Sequence, residues 1–148
     1  MIEIKVKSFE ALTKNELYNL LQLRSEVFVV EQDCVYQDLD GKDEKALHVL
    51  GFKNNNIVGY TRIFKPGDYF ELASIGRVVV AKNERTHKYG FDIMNASAEA
   101  IKTYFNETDI KISAQVYLKK FYNALGYKEI GAEYLEDDIP HIAMIKKS

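Results

Sequence analysis

The stretch from residue 75 to residue 91 constrains the fold more than any other part of the sequence. An apolar run over residues 75–81 passes through a polar, basic loop directly into a helix pattern. The start of such a helix offers unpaired backbone N–H groups and the positive end of the helix dipole, which together can hold a phosphate. Arg85, His87 and Lys88 add positive charge there. The loop is therefore either an anion site or a solvated segment that only caps the helix.

Hydrophobic patterns predict the elements that come before this stretch. Thr13 and Glu16 have the spacing of a capping box in front of an amphipathic pattern, which predicts a helix over residues 13–30. An asparagine triplet separates the apolar runs 48–53 and 57–64, and such a triplet suits the turn of a β-hairpin.

The remaining patterns complete a mixed order of strands and helices. Residues 69–81 predict a long strand, in which Gly76 marks a bulge or a close approach to the backbone. The later elements are a helix from Gly90 to Phe105, a strand over 110–114, a helix ended by Gly126, and strands over 127–130 and 141–146 with an acidic connection. With a first strand over 1–7, the order is β-α-β-β-β-α-β-α-β-β. It predicts an α/β (α+β) fold with a mixed central sheet flanked by helices.

Size and charge exclude several classes of protein. A chain of 148 residues is the size of one compact domain, so we expect residues 1–148 to form a single domain. A net charge of -2 argues against a generic nucleic-acid-binding protein. Apolar stretches such as residues 27–30 are far shorter than the roughly twenty residues of a membrane span. The first residues alternate apolar and charged side chains instead of forming a signal peptide, and Cys34 is the lone cysteine. We therefore expect a cytoplasmic monomer or homodimer without a membrane partner.

The histidines and the cysteine do not form a metal-binding pattern. His48, His87 and His141 lie far apart, and no Cys/His pair has zinc spacing, so we expect no metal. Cys34 has no identifiable base beside it, which favours a small structural residue over a nucleophile.

Several segments of the chain resemble the GNAT N-acetyltransferases, which use acetyl-coenzyme A. The GNAT signature reads Arg/Gln-x-x-Gly-x-Gly/Ala at a strand-to-helix junction. Arg85-Thr86-His87-Lys88-Tyr89-Gly90 matches its first and last positions, with Lys88 in place of the middle glycine. The other segments are Leu23-Arg24-Ser25-Glu26-Val27-Phe28-Val29-Val30-Glu31-Gln32, Asp38-Leu39-Asp40-Gly41, Ser113-Ala114-Gln115, Phe121-Tyr122-Asn123-Ala124-Leu125-Gly126-Tyr127 and Ile139-Pro140-His141-Ile142. In this order they resemble the ElaA-like subgroup of the superfamily and cover nearly the whole chain.

The resemblance implies a site for acetyl-coenzyme A along the strand, loop and helix. Val78, Val79 and Val80 would separate from the neighbouring strand and offer backbone groups to the peptide-like pantetheine arm. The backbone N–H groups that would wrap the pyrophosphate belong to Arg85, Thr86, His87, Lys88, Tyr89, Gly90 and Phe91. With a negative φ, Lys88 is tolerated and its ammonium can contact a phosphate. With a positive φ, we expect coenzyme binding to be weakened or lost.

Tyr122 is the predicted catalytic residue. Its spacing from Leu118 and Leu125 places it on an apolar stripe, and from spacing alone a core tyrosine is the better interpretation. The resemblance implies a different role, because Tyr122 matches the tyrosine that many GNAT enzymes place beside the coenzyme sulfur. A thiol has a pKa of about 8.5 and a phenol one of about 10, so complete proton transfer to the departing thiolate is uphill by roughly 2 kcal/mol. We expect Tyr122 to act by a hydrogen bond that stabilises the developing thiolate.

The acceptor implied by the family is a primary amine of a small molecule or a peptide, and it must lose a proton before it attacks. Glu31, His48, His141 or a water molecule could serve as the base. We expect Glu31, Gln32 and His141 to line the acceptor site, and the acidic residues 136–138 favour a cationic amine. Arg24 falls on the buried face of the first helix, so we expect it to form an ion pair that supports the acceptor pocket.

Two classes of function follow from these residues. The leading hypothesis is an N-acetyltransferase that works by direct attack of the amine in a ternary complex. The alternative is a non-catalytic acetyl-coenzyme A sensor or protein-interaction module on the same fold, and Lys88 is the residue that favours it.

Overall fold

Strands and helices follow one another in the predicted order. The computed structural model describes residues 2–148, so Met1 of the predicted first strand lies outside the described residues. The strands are β1 (Glu3–Ser8), β2 (Leu47–Lys53), β3 (Asn56–Phe64), β4 (Ala73–Val80), β5 (Ile110–Gln115), β6 (Lys128–Glu136) and β7 (Ile139–Lys146). The α-helices are α1 (Lys14–Arg24), α2 (Tyr89–Phe105) and α3 (Lys119–Ala124); a π-helix covers Ser25–Glu31, and 3-10 turns cover Asp43–Lys45, Lys82–His87 and Val116–Leu118. The predicted α/β fold is confirmed.

The first helix begins at the predicted capping box and changes its hydrogen bonding at Ser25. The hydroxyl of Thr13 accepts from the backbone N–H of Glu16 at 3.0 Å, and the Glu16 carboxylate accepts from that of Thr13 at 2.9 Å. The predicted single helix over 13–30 is instead an α-helix followed by the π-helix. A π-helical turn is wider than an α-helical one, so the side chains after Ser25 leave the 3.6-residue period.

The strands form one mixed sheet in the order β1-β2-β3-β4-β5-β7-β6. All neighbouring pairs are antiparallel except β4 and β5, which are parallel and joined by α2. The hairpin between β2 and β3 turns at Asn54 and Asn55, whose φ angles of 51° and 66° are those that the asparagine triplet was expected to supply.

Two predicted strands have different bounds in the structure. The strand predicted over 69–81 begins only at Ala73, where the pairing with β5 starts, and the pairing with β3 follows at Ser74; before it, the ring of Tyr69 packs on that of Phe64 with their centroids 5.1 Å apart. The irregularity expected at Gly76 lies one residue later, at Arg77, which has a φ of 50°.

The acidic connection predicted after residue 130 is in fact the second half of β6. This strand bends at Gly131, where φ is 71° and the pairing with β7 shifts, and it continues to Glu136. Only Asp137 and Asp138 form the turn. Hydrophobic alternation missed this half because β6 is an edge strand whose residues are all exposed.

The core lies on both faces of the sheet. Val49 belongs to the cluster under α2, and its neighbour Leu50 belongs to the cluster under α1. Successive strand residues point to opposite faces, so α1 and α2 cover opposite sides. Among residues 2–148, no helix combines the length and the apolar character that a membrane crossing requires.

Candidate active site

The two parallel strands separate soon after they begin, and a cavity lies between them. β4 pairs with β5 only at Ala73 and Ser74, opposite Ile110 and Lys111. Beyond those pairs the facing backbone edges are free, and a cavity of about 530 Å³ opens between the two strands. This volume is within the range of small-molecule sites. The separation expected from the resemblance is therefore present.

Most of the predicted coenzyme residues line this cavity. They are Val78, Val79, Val80, Arg85, Lys88, Gly90 and Phe91. The side chains of Thr86 and His87 instead face solvent, and Tyr89 is buried beneath the start of α2. A Cβ atom at Gly90 would lie 3.1 Å from Phe121 Cζ, so glycine lets α3 pack closely against the beginning of α2.

Lys88 has a left-handed backbone, with φ of 59° and ψ of 28°. The sequence analysis expects a positive φ at this position to weaken or abolish coenzyme binding. A glycine adopts this conformation most easily. Lys88 joins the 3-10 turn to α2, and no side chain within residues 2–148 caps the first N–H groups of this helix. The Phe91 N–H donates to the Lys88 carbonyl at 3.1 Å, so it is the N–H groups of Tyr89 and Gly90 that remain available to an anion.

Arg85 is held by a carboxylate from the opposite side of the cavity. Its guanidinium donates two hydrogen bonds to Glu31, at 2.5 and 2.8 Å, and its Nε donates to the Val80 carbonyl at 3.1 Å. The hydrogen bonds from Arg85 lower the pKa of Glu31. Glu31, which the sequence analysis assigned to the acceptor site, therefore has its carboxylate on Arg85, in the loop that is predicted to hold the coenzyme.

The end of the π-helix connects three separate elements across the open side of the cavity. Besides the pair just described, Gln32 contacts Gln115 at the end of β5 through their amide groups, 3.4 to 3.5 Å apart. Two residues later, the Cys34 thiol donates to the Asp137 carbonyl at 3.3 Å. Residues 31–34 therefore form a strap over the cavity. Glu31 ends the π-helix and the chain then turns at Asp33, whose φ is 49°, so the neighbouring side chains point in different directions.

Tyr122 lies on the wall of the cavity. Tyr122 is only 5% exposed, and the centroid of its ring lies 5.0 Å from that of Phe121 and 6.1 Å from that of Tyr127. Burial raises the pKa of Tyr122, so the phenol is protonated at neutral pH. Within residues 2–148 no group hydrogen-bonds to its hydroxyl, which is thus free to donate to a ligand.

A second group of polar side chains lines the other end of the cavity. His141 on β7 is 6% exposed, and its Nδ1 lies 2.7 Å from the Ile139 carbonyl. Its Nε2 is 3.5 Å from the Glu136 carboxylate, and its ring stacks on Tyr134. Ser113 hydrogen-bonds to the Tyr134 hydroxyl and donates to Glu136 at 3.3 Å. Of these residues, the sequence analysis gave a role at the acceptor site only to His141 and the acidic run that contains Glu136, and it named Ser113 only within a segment of the resemblance.

Arg24 forms the ion pairs that its burial required, within a larger network behind the cavity. It binds Asp38 at 2.9 Å and Asp43 at 2.8 Å. The other pairs of the network are Arg62 with Asp40 (2.5 Å) and Asp43 (3.0 Å), and Arg77 with Asp38 (2.8 Å). Arg77 and its neighbours line the cavity, so this network holds one wall in place.

His48 is a structural residue. It is fully buried, and its Nε2 donates to the Asp43 carbonyl at 2.9 Å while its Nδ1 accepts from the Tyr60 hydroxyl at 2.5 Å. Burial lowers the pKa of His48. Both ring nitrogens are occupied and the side chain does not line the cavity, which removes it from the candidate bases. Residues 2–148 contain no group of three or more His, Cys, Asp or Glu side chains that could hold a metal ion.

Comparison with known proteins places this geometry in a family. A model of the Acetyltransferase (GNAT) domain matches residues 10–148. The chain belongs to the GNAT acetyltransferase family. It is 40% identical to protein ElaA of Escherichia coli strain K12 over 149 residues, which cover 99% of this chain and 97% of ElaA. The ElaA-like resemblance is confirmed.

Solved structures agree with that assignment. The crystal structure of Escherichia coli ElaA matches with a TM-score of 0.91 and covers 99% of this chain and 100% of its own. An acyl-CoA N-acyltransferase from Pseudomonas aeruginosa matches with a TM-score of 0.92 at 36% identity, with coverage of 99% and 100%. These matches support a transferase role for the chain.

Proposed function

We propose that the protein is an N-acetyltransferase that moves the acetyl group of acetyl-coenzyme A to a primary amine of a small molecule or peptide. The amine attacks directly while both substrates are bound. The observation that carries this proposal is the cavity between β4 and β5, with a free backbone edge on one side and the unpartnered Tyr122 hydroxyl on its wall.

The free edge of β4 suits the pantetheine arm of the coenzyme. Beyond Ser74, the β4 residues that face β5 have no strand partner on that side, and Val78 and Val79 line the cavity. A peptide-like arm laid there would supply the missing strand-type hydrogen bonds. The uncapped N-terminus of α2, with Arg85 and Lys88 beside it, would bind the pyrophosphate.

Acetyl-coenzyme A supplies the activated acyl group, and Tyr122 stabilises the thiolate that leaves it. Burial makes this phenol a weaker acid than usual, so full proton release to sulfur is unfavourable in the ground state. A hydrogen bond from the Tyr122 hydroxyl strengthens as negative charge develops on the sulfur, and this is the condition for lowering the barrier.

Direct attack fits the structure better than an acyl-cysteine intermediate. Cys34 donates its thiol proton to the Asp137 carbonyl and belongs to the strap over the cavity. Its hydrogen bonds among residues 2–148 include no contact with an imidazole or a carboxylate that could remove this proton.

The relatives support acyl transfer to nitrogen. The Pseudomonas aeruginosa protein is described as an acyl-CoA N-acyltransferase, and this chain resembles it over its full length. Because the proposed donor is made and used inside cells, the proposal retains the expected cytoplasmic location. The proposed form is a monomer or a homodimer.

Two observations favour the second candidate function, a non-catalytic acetyl-coenzyme A sensor. Lys88 has a left-handed backbone at a position where the family motif has glycine. The Arg85 guanidinium is already hydrogen-bonded to the Glu31 carboxylate. Both would weaken binding of the pyrophosphate. The free hydroxyl of Tyr122 favours the enzyme, because a sensor has no use for it.

A binding experiment and a turnover experiment together test the proposal. Calorimetry with acetyl-coenzyme A should give a measurable Kd, and a panel of primary amines should include one that releases free coenzyme A thiol and yields an acetylated product by mass spectrometry. Binding without turnover on any amine would support the sensor. Absence of binding at millimolar coenzyme would refute both functions.

A further inference from the structure

Three strands bring four polar side chains together at the end of the cavity beside His141. Ser113 comes from β5, Tyr134 and Glu136 come from β6, and His141 comes from β7. His141 pairs with Gln115 in the register of β5 and β7, at the end of β5 where that strand has already separated from β4. Tyr122 lies in α3, shortly after that end of β5. The polar cluster and Tyr122 thus share one cavity from different elements.

The hydrogen bond made by Nδ1 fixes the tautomer of His141. A carbonyl oxygen only accepts, so the Nδ1 that lies 2.7 Å from the Ile139 carbonyl must carry a hydrogen. In the neutral imidazole, the Nε2 then holds a lone pair. That lone pair is turned toward the cavity end, 3.5 Å from a Glu136 oxygen, a distance too long for a normal hydrogen bond. The Nε2 of neutral His141 and the Glu136 carboxylate are therefore two hydrogen-bond acceptors that face each other, and neither can donate to the other.

We propose that Glu136 and His141 hold the ammonium group of a cationic amine acceptor, and that His141 Nε2 is the base that removes its proton. This assignment rests on the proposed N-acetyltransferase function and names its acceptor class and its base. A primary ammonium has three N–H donors, so it can bond to both acceptors and fill the gap between them. Ser113 donates to Glu136 and orients that carboxylate.

The charges around this end of the cavity select a cation. Glu136 and Asp137 are both on the lining, and the positive charge of Arg77 is balanced by Asp38 at 2.8 Å. The rings of Tyr69 and Phe70 lie on the same wall, but Lys42 and Lys111 already sit 4.8 and 4.9 Å from their centroids, so the carboxylates and not these rings select the cation. An anionic acceptor at this end would meet Glu136 and Asp137, and the lining cation that has no ion pair among residues 2–148, Lys88, lies at the start of α2.

The proton and electron balance of the step is complete. The ammonium gives one proton to His141 Nε2 and becomes a neutral amine, whose lone pair forms a C–N bond to the acetyl carbonyl carbon. The C–S bond breaks, and its electron pair leaves on sulfur. Tyr122 donates a hydrogen bond to this thiolate, which takes the second proton lost by the new amide nitrogen and leaves as the thiol. The imidazolium of His141 finally releases its proton to water, so the imidazole is regenerated.

Three variants separate these roles. His141→Gln should lower kcat with 2-phenylethylamine by about 10²-fold or more, the contribution of a general base. With 2,2,2-trifluoroethylamine, whose fluorine atoms leave the amine largely neutral at pH 7, the same variant should lose far less. Glu136→Gln should raise the KM for 2-phenylethylamine by about tenfold, because a hydrogen bond to a charged group is lost. Glu133→Gln is the matched control, since it removes the same charge from an exposed position on the same strand.

Direct binding provides a readout independent of turnover. The imidazole nitrogens of His141 can be followed by NMR while 2-phenylethylamine or the uncharged 2-phenylethanol is added. We expect the Nε2 signal to shift with the amine and not with the alcohol, and Glu136→Gln should weaken that shift.

The outcomes distinguish this assignment from the function on which it rests. If the wild-type protein acetylates neither amine, the proposed acceptor class fails, and if it also acetylates no other primary amine the enzyme fails with it. If wild type is active and His141→Gln keeps its kcat, or loses the same factor with both amines, His141 is structural and only the assignment is overturned. Unchanged melting temperature and acetyl-coenzyme A affinity in the variants show that they remain folded.

Discussion

Replacing Lys88 by glycine should stabilise the protein, because the backbone at this position already has the conformation that glycine prefers. Lys88 has a φ of 59° and a ψ of 28°. An L-residue pays about 1–2 kcal/mol in this region. Glycine avoids that cost but loses about 0.5–1 kcal/mol more backbone entropy on folding. The net gain is about 0.5–1 kcal/mol, which in a chain of this length corresponds to a rise in Tm of about 1–4 °C.

Lys88→Ala is the control, since it removes the ammonium and keeps the strained backbone. Thermal unfolding followed by circular dichroism should show a higher Tm for Lys88→Gly than for wild type and no such rise for Lys88→Ala. Both variants lack the ammonium, so a difference between their acetyl-coenzyme A Kd values reports the backbone alone. We expect equal Kd values, because the loop already has its glycine-like shape. A Tm for Lys88→Gly at or below that of wild type would refute the strain argument.

Three further predictions follow from the ion pairs. Glu31→Gln should lower the Kd for acetyl-coenzyme A at low salt, because it frees the Arg85 guanidinium and removes a negative charge beside it. Glu26→Gln, at an exposed position, is the control and should leave this Kd unchanged. A higher Kd for Glu31→Gln would contradict the reasoning. Asp43→Asn should lower the free energy of unfolding in urea by about 3 kcal/mol, the low end for a broken buried pair, since Arg24 keeps its second carboxylate; a loss below 1 kcal/mol would show that the network is dispensable. Stability should also fall in acid. Burial opposes the charged form of Asp43, but its hydrogen bonds to two arginines lower its pKa, so its contribution to the free energy of unfolding is complete above the ordinary aspartate pKa of about 3.9 and is lost as the pH falls below it. A urea midpoint that does not change between pH 5 and pH 3 would contradict this.

Local signals predicted the elements and most of the residues that line the cavity from β4 to the start of α2. The capping box at Thr13 and the asparagine turn at residues 54–56 are contained within a few residues, so the sequence specified them directly. The strand-loop-helix stretch was equally local, and seven of its ten predicted residues line the cavity.

The acceptor side depends on contacts between distant parts of the chain, which no local pattern shows. Ser113 and Glu136 meet because β5 and β6 both pair with β7, although they are 23 residues apart. One usable signal was the alternation in β5, where buried Ile112 and Ala114 leave Ser113 and Gln115 on the opposite face, toward the cavity.

The π-helix was beyond any period-based prediction. Hydrophobic spacing does not distinguish i+5 from i+4 hydrogen bonds over seven residues, and only the structure shows that Glu31 faces Arg85. For the same reason the sequence analysis placed Glu31 with the acceptor instead of the coenzyme loop.

The turnover of Tyr122→Phe tests the central claim most directly. The variant keeps the ring that packs against Phe121 and removes only the hydroxyl, so the helix should survive. Tyr127→Phe is the matched control: it removes a hydroxyl from the adjacent ring, where the oxygen is buried and has no hydrogen-bond partner within residues 2–148. With the best amine acceptor, kcat should fall about 10²-fold in Tyr122→Phe and remain unchanged in Tyr127→Phe, while the acetyl-coenzyme A Kd of both stays at the wild-type value. An unchanged kcat in Tyr122→Phe would make Tyr122 a core tyrosine and contradict the proposed mechanism.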